Sequence, residues 1–266
     1  MYFGVTESRI SVGNIQMDYI TFGSGSKPLI LLQGLNTNGI RGSGFMLSHM
    51  YRIFSKSYRV YLFDRRADLT DGVTVRDLAA DLAAALDTLS IRSADVFAVS
   101  QGGMIAMYLA IDRPDLVRKL VLSVTASRCN ETLQRAIEGW IGMTERNEIK
   151  QLVADMAEKM YSEAYMKRYR PLLPLLALVQ KPKDVPRFLT LAKACLTCSA
   201  YDELLQIQCP VFVIGGREDH IVTAQASVEI AEKLGCRLHL YDGLGHAVYE
   251  EAKDFNGLVL SFFEDE

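Results

Sequence analysis

The chain has 266 residues, 49% hydrophobic and 23% charged, with a net charge of -3. That balance excludes the basic field of a nucleic-acid binder, and seven Pro and 19 Gly are too few for a collagenous or disordered chain. No run approaches the roughly 18 apolar residues of a membrane span, and the first 13 residues lack a basic-then-apolar leader. The expectation is a soluble cytoplasmic protein with neither nucleic acid nor membrane as partner. A homodimer stays open.

In chain order, residues 9–12, 15–21 and 28–32 read as short strands, punctuated by Gly13-Asn14 and Gly23-Ser24-Gly25. Residues 28–32 and 59–63 (RVYLF) are continuously apolar, as strands buried on both faces are. Residues 74–90 predict a helix, with Val75, Leu78, Leu82, Leu86 and Leu89 on one stripe and a capping-box start at Thr74 and Asp77. Strand 96–99, helix 102–111 and strand 120–124 follow. After a long interruption come strand 211–214, helix 223–234, strand 237–241 and helix 248–263. Alternation of this kind predicts an α/β fold, a mostly parallel sheet with helices on both faces.

The interruption, 127–201, has no convincing β run and breaks near Pro171, Pro174, Pro182 and Pro186. A structureless loop that long is rare, so it is expected to form a helical cap inserted into a core made of 1–126 and 202–266. Its basic residues (Lys159, Lys167, Arg168, Arg170, Lys181, Lys183, Arg187, Lys193) could draw an anion, although a solvated helix surface is favoured. Tyr161, Tyr165 and Tyr169 share a helix face, with packing of cap on core favoured over pocket lining. The run PLLPLLALV from Pro171 suggests an apolar pocket roof.

Five cysteines, an odd number, argue against a disulfide framework. Cys195 and Cys198 form a C-x-x-C inside an apolar helical run, read as core thiols. No metal or cofactor is implied.

The sharpest signal is FAVSQGGMIA, residues 97–106. A buried strand ends in Val99, Ser100 follows, and Gly102-Gly103 opens a helix. A serine at such a turn is held outward on a strained backbone, with small residues (Ala98, Gly102) two positions to either side. The blander reading is a serine N-cap. A serine nucleophile needs an adjacent base. Of the four histidines, His49 falls in a helical run and His239 mid-strand, while His220 directly follows an acidic pair. His246, in the Gly-rich loop DGLGHAVYEE after the last strand, fits the base. An acid must fix its tautomer. Glu218 and Asp219 both follow strand 211–214, and Asp219 is preferred. The loop after strand 120–124 offers no carboxylate. The backbone N–H groups of Gln101 and Leu35 are the expected oxyanion donors.

With Ser100, Asp219 and His246 in that order, the chain resembles the capped, single-domain branch of the α/β-hydrolase superfamily over essentially its whole length. Relatives usually carry His-Gly in the oxyanion loop, where this chain has Gln33-Gly34. They also carry Arg-Gly-x-Gly after the fourth strand, where this chain reads DRRADLTDG and Asp64 is taken as structural. The resemblance implies a serine hydrolase of the carboxylesterase kind acting on a small carboxylic ester, lactone or thioester through an acyl-enzyme. A ligand receptor, or a C–C hydrolase, lyase or perhydrolase, is the alternative it leaves.

Overall fold

The computed structural model describes residues 4–172 and 181–265. Eight strands form one sheet in the order β1-β2-β4-β3-β5-β6-β7-β8. They are β1 (Thr6–Val12), β2 (Ile15–Phe22), β3 (Lys27–Leu32), β4 (Tyr58–Arg66), β5 (Ala94–Val99), β6 (Val117–Ser123), β7 (Val211–Gly216) and β8 (Arg237–Tyr241). β1 and β2 pair antiparallel, as do β2 and β4, and every pair from β4–β3 onward is parallel. The expected α/β architecture is the observed one.

Parallel strands need crossovers, and helices supply them on both faces. Helices α2 (Val75–Thr88), α3 (Gln101–Asp112) and α8 (Ala224–Leu234) cover one face, and α1 (Gly44–Met50) and α10 (Phe255–Glu264) the other. The capping box of α2 is formed by Thr74 and Asp77, and Val75, Leu78, Leu82 and Leu86 of its stripe are buried, with Leu89 half-buried at its end. An ion pair from Arg66 to Asp81, 2.5 Å, pins α2 to β4. β5 and β7 are buried along their whole length, as the apolar runs require. The expected helix 248–263 is interrupted: Ala252 adopts extended backbone (ψ 117°), leaving a one-turn α9 (Val248–Glu251) before α10.

Between β6 and β7 the chain runs through α4 (Glu131–Glu145), α5 (Ile149–Met160), α6 (Glu163–Tyr169) and α7 (Val185–Cys195). Asn130, Ser162 and Asp184 cap three of them with their side chains. Their only β feature among the described residues is an isolated bridge, Arg128 to Ser199. Most of the apolar run from Pro171 lies outside the described residues. No described helix is long and apolar enough to cross a membrane.

Candidate active site

The carboxyl ends of the parallel strands converge on Ser100. Its backbone sits at φ 53°, ψ -121°, a region L-residues rarely occupy. The hydroxyl caps nothing, so the turn does not use Ser100 as an ordinary N-cap. The turn is held by the backbone instead: Ser100 N donates to Ser123 O at 2.9 Å, and Ser100 O accepts from Gly103 N at 2.8 Å. Thr125 Oγ1 donates to the same carbonyl at 2.7 Å, a support that sequence reading passed over. Gly102 is obligatory for a geometric reason. A Cβ there would lie 2.4 Å from Leu32 O and 2.6 Å from Gln33 O, so a side chain would push α3 off the loop after β3.

Asp219 and His246 are buried, at 6% and 4% exposure, and meet at 2.8 Å between Oδ2 and Nδ1. The other oxygen, Oδ1, accepts from Ile221 N (2.8 Å) and Val222 N (3.0 Å). Burial alone would raise the Asp219 pKa, but the adjacent imidazole and these donors outweigh it and hold the carboxyl below its ordinary range. An ionised carboxylate only accepts, so the proton on His246 sits on Nδ1. Nε2 of a neutral ring is then left with its lone pair. Glu218 is exposed. Of the expected acids, only Asp219 reaches the imidazole.

Ser100 and His246 line one small chamber of about 40 Å³ together with Gly34 and Leu35, without a hydrogen bond between them. Such contacts are often long until substrate binds. The Leu35 and Gln101 backbone N–H groups donate to no acceptor among the described residues. The Gln101 side chain turns away: Nε2 donates to Leu191 O on α7 at 2.7 Å and contacts Cys195 Sγ at 3.1 Å, while its Oε1 is buried without a partner. Apart from Tyr249 the rest of the chamber wall is apolar, with Leu133, Ile137, Trp140, Met156 and Met160 coming from α4 and α5 and Cys195 from α7. Trp140 is fixed by Nε1 donating to Asp155 Oδ2 at 2.7 Å. These wall residues were not individually visible in the sequence, because an amphipathic helix shows which face is buried but not against what. A volume of 40 Å³ is room for about three waters. A second, open cavity of about 430 Å³ shares Gly34, Leu35 and Tyr249 with it.

Of the remaining singled-out residues that the structure describes, only Cys195 touches the chamber. His49 and His220 are exposed, and His239 packs edge-on against Tyr241. Cys195 and Cys198 are free and buried. Burial pushes the Cys195 thiol up to about 12, so it is not a nucleophile at neutral pH. Tyr161, Tyr165 and Tyr169 stack with centroids 4.4 and 4.2 Å apart, and Tyr161 donates to Glu250 Oε2 at 2.7 Å. None of the three lines the chamber. Lys167, Arg168, Arg170, Lys181, Lys183 and Lys193 are exposed. Arg187 instead turns inward to Asp64, 2.7 Å away.

The alpha/beta hydrolase fold family matches residues 27–253, and the chain belongs to it. A Rhizobium rhizogenes protein named as a candidate carbamate hydrolase is 27% identical, over 85% of this chain and 90% of its own. A 2-hydroxy-6-oxononadienedioate/2-hydroxy-6-oxononatrienedioate hydrolase of a Pseudomonas species is 26% identical, over 98% and 95%. The crystal structure of the enol-lactonase from Burkholderia xenovorans LB400 superposes with a TM-score of 0.84 at 20% identity, covering 97% of this chain and all of that one. The protein is therefore an alpha/beta hydrolase whose relatives are named for several hydrolytic reactions.

Proposed function

We propose that the protein is a serine hydrolase that cleaves a carboxylic ester, or a lactone or thioester, with a short uncharged acyl group. The observation that carries this is the unspent Ser100 hydroxyl on its strained turn, in one chamber with an imidazole whose far nitrogen is tied to a buried carboxylate. Ser100 Oγ attacks the acyl carbon while His246 Nε2 takes its proton. The Leu35 and Gln101 N–H groups receive the oxyanion. Collapse expels the alcohol, which takes the proton back from His246. Water then repeats the sequence on the acyl-enzyme and releases the acid.

The helical segment 127–201 serves as the cap that closes the chamber. The described lining residues include no Lys or Arg. A free carboxylate placed there would be desolvated without a cationic side chain in contact with it, which is costly. This chamber is therefore unsuited to a dicarboxylate of the sort in the name of the Pseudomonas relative.

The test is a fluorophosphonate, which reacts only with an activated serine, and a series of p-nitrophenyl esters from acetate upward. Ser100 should be the labelled residue, with acetate and propionate the best substrates. Ser100→Ala should lose at least about a thousandfold in kcat while folding normally. Labelling elsewhere, or an active Ser100→Ala, removes the proposal.

A further inference from the structure

From the placement of Arg65 behind the oxyanion loop we infer that it is a positioning residue for the reaction, holding and polarising the Leu35 peptide that receives the oxyanion. This rests on the reading of Ser100 as nucleophile. Arg65 is 5% exposed. Its Nη2 donates to Gln33 O at 2.5 Å and lies 3.5 Å from Gly34 O. The second carbonyl belongs to the same peptide unit as the Leu35 N–H. No described residue has a cis peptide bond, and in a planar trans unit C=O and N–H point in opposite directions. A cation on the carbonyl side therefore fixes the N–H toward the other side, and Leu35 lines the chamber with Ser100.

The charge around it is uneven. Asp64 is held by Arg187 at 2.7 Å and also accepts from the backbone N–H groups of Arg65 (2.8 Å) and Ile40 (3.2 Å). No carboxylate pairs with the Arg65 side chain among the described residues. Asp64 is thus neutralised by Arg187, and the unpaired Arg65 guanidinium leaves a buried net positive charge directly behind the loop. A buried cation without its own partner is expensive for folding, so a structural role alone does not account for it. Desolvation lowers the Arg65 pKa to about 10, which leaves it charged at neutral pH. Negative charge developing on a substrate oxygen at the Leu35 N–H would be stabilised through that peptide, and the neutral ground state much less. The arrangement also meets the departure at Gln33-Gly34. The loop is shaped by a guanidinium from β4, not by an imidazole of its own.

The experiment compares wild type with Arg65→Met and Arg65→Lys. It measures kcat and KM on p-nitrophenyl acetate and the inhibition constant of a short alkyl boronic acid, whose serine adduct is tetrahedral and anionic. Arg65→Met should lower kcat at least about tenfold, below the hundredfold or more of a direct donor. KM should stay within about threefold, and boronate affinity should fall in step with kcat. Arg65→Lys, which keeps the charge but not the fork, should lie between. If Arg65→Met does not fold, Arg65→Lys decides by the same split. A variant that loses thermal stability but keeps kcat and boronate affinity within twofold overturns the inference. So does a loss that falls on KM. A wild type neither labelled at Ser100 nor active on any ester overturns the parent reading with it, and that outcome is distinct from an active enzyme indifferent to Arg65.

Discussion

The carboxyl edge of the sheet and the helical segment between β6 and β7 build the same chamber by opposite means. At the sheet edge the groups are polar and fixed by backbone geometry: a positive φ at Ser100, two N–H donors on Asp219 Oδ1, a threonine hydroxyl on the Ser100 carbonyl. The helices contribute side chains that are almost wholly apolar. On the proposed mechanism the first region fixes what reaction is feasible, because a misplacement of about 1 Å can cost roughly a hundredfold in rate. The second decides what fits, because apolar walls discriminate by volume. The regions are nonetheless tied. Gln101 holds α7 through Leu191 O, and Arg187 holds it to Asp64, so α7 is anchored at the end of β4 and at the turn that carries Ser100.

The largest expected effect lies at the sheet edge. Asp219→Asn can place the His246 proton on the wrong nitrogen, and in a protease with the same arrangement that change costs about ten-thousandfold. Here kcat should fall at least about a hundredfold. Exposed Glu218→Gln should change it less than about twofold. Steady-state rates on the preferred ester decide it, and a mild Asp219→Asn would mean that the carboxylate only braces the loop at Ile221 and Val222.

The helical walls should respond differently. Ile137 is buried and lines the chamber from α4. Ile137→Ala should cost about 2–4 kcal/mol of stability, as large-to-small core changes do. It should also move the acyl optimum from two or three carbons to four or more, changing the acetate-to-butyrate ratio of kcat/KM by about tenfold. A ratio that stays put while stability falls would mean that the acyl group lies elsewhere, and the 430 Å³ cavity beside Tyr249 would be the place to look.

The contrast also explains what could be read from sequence. Ser100, Asp219 and His246 stood out because their surroundings are local: a strand end, a small residue at Gly102, a Gly-rich loop. The order of strands and helices followed from periodicity for the same reason. The interruption near Ala252 escaped because its cause is tertiary. Glu251 is bound there by Ser162 N at 2.9 Å and by Ser162 Oγ at 2.5 Å, from the α5–α6 junction. Arg65 escaped too. In DRRADLTDG nothing separates an arginine that turns inward onto Gln33 O from Arg66 beside it, which turns to Asp81. Trp140 and Met156 were not singled out at all, because only the packed helices reveal that they line the same chamber as Ser100.

The smallest predicted effect is on stability and concerns the sheet edge alone. Asp219 has a folded-state pKa below its ordinary value, because His246 and its donors outweigh burial. A carboxyl depressed on folding contributes stability that is fully present above its unfolded pKa, about 3.9. That contribution fades as pH falls further, through the folded value. Asn cannot titrate, so the melting-temperature gap between wild type and Asp219→Asn isolates the contribution, the other carboxylates being common to both proteins. The gap should favour wild type at about pH 5 and narrow steadily toward pH 3. Ile137→Ala, which changes no charge, should show a gap from wild type that is flat over the same range. Thermal melts of the three proteins across that interval test the point. A gap for Asp219→Asn that is flat or widens in acid would mean that burial, not the imidazole and the N–H donors, controls this carboxyl, and the sheet edge would lose the electrostatic character that separates it from the helical walls.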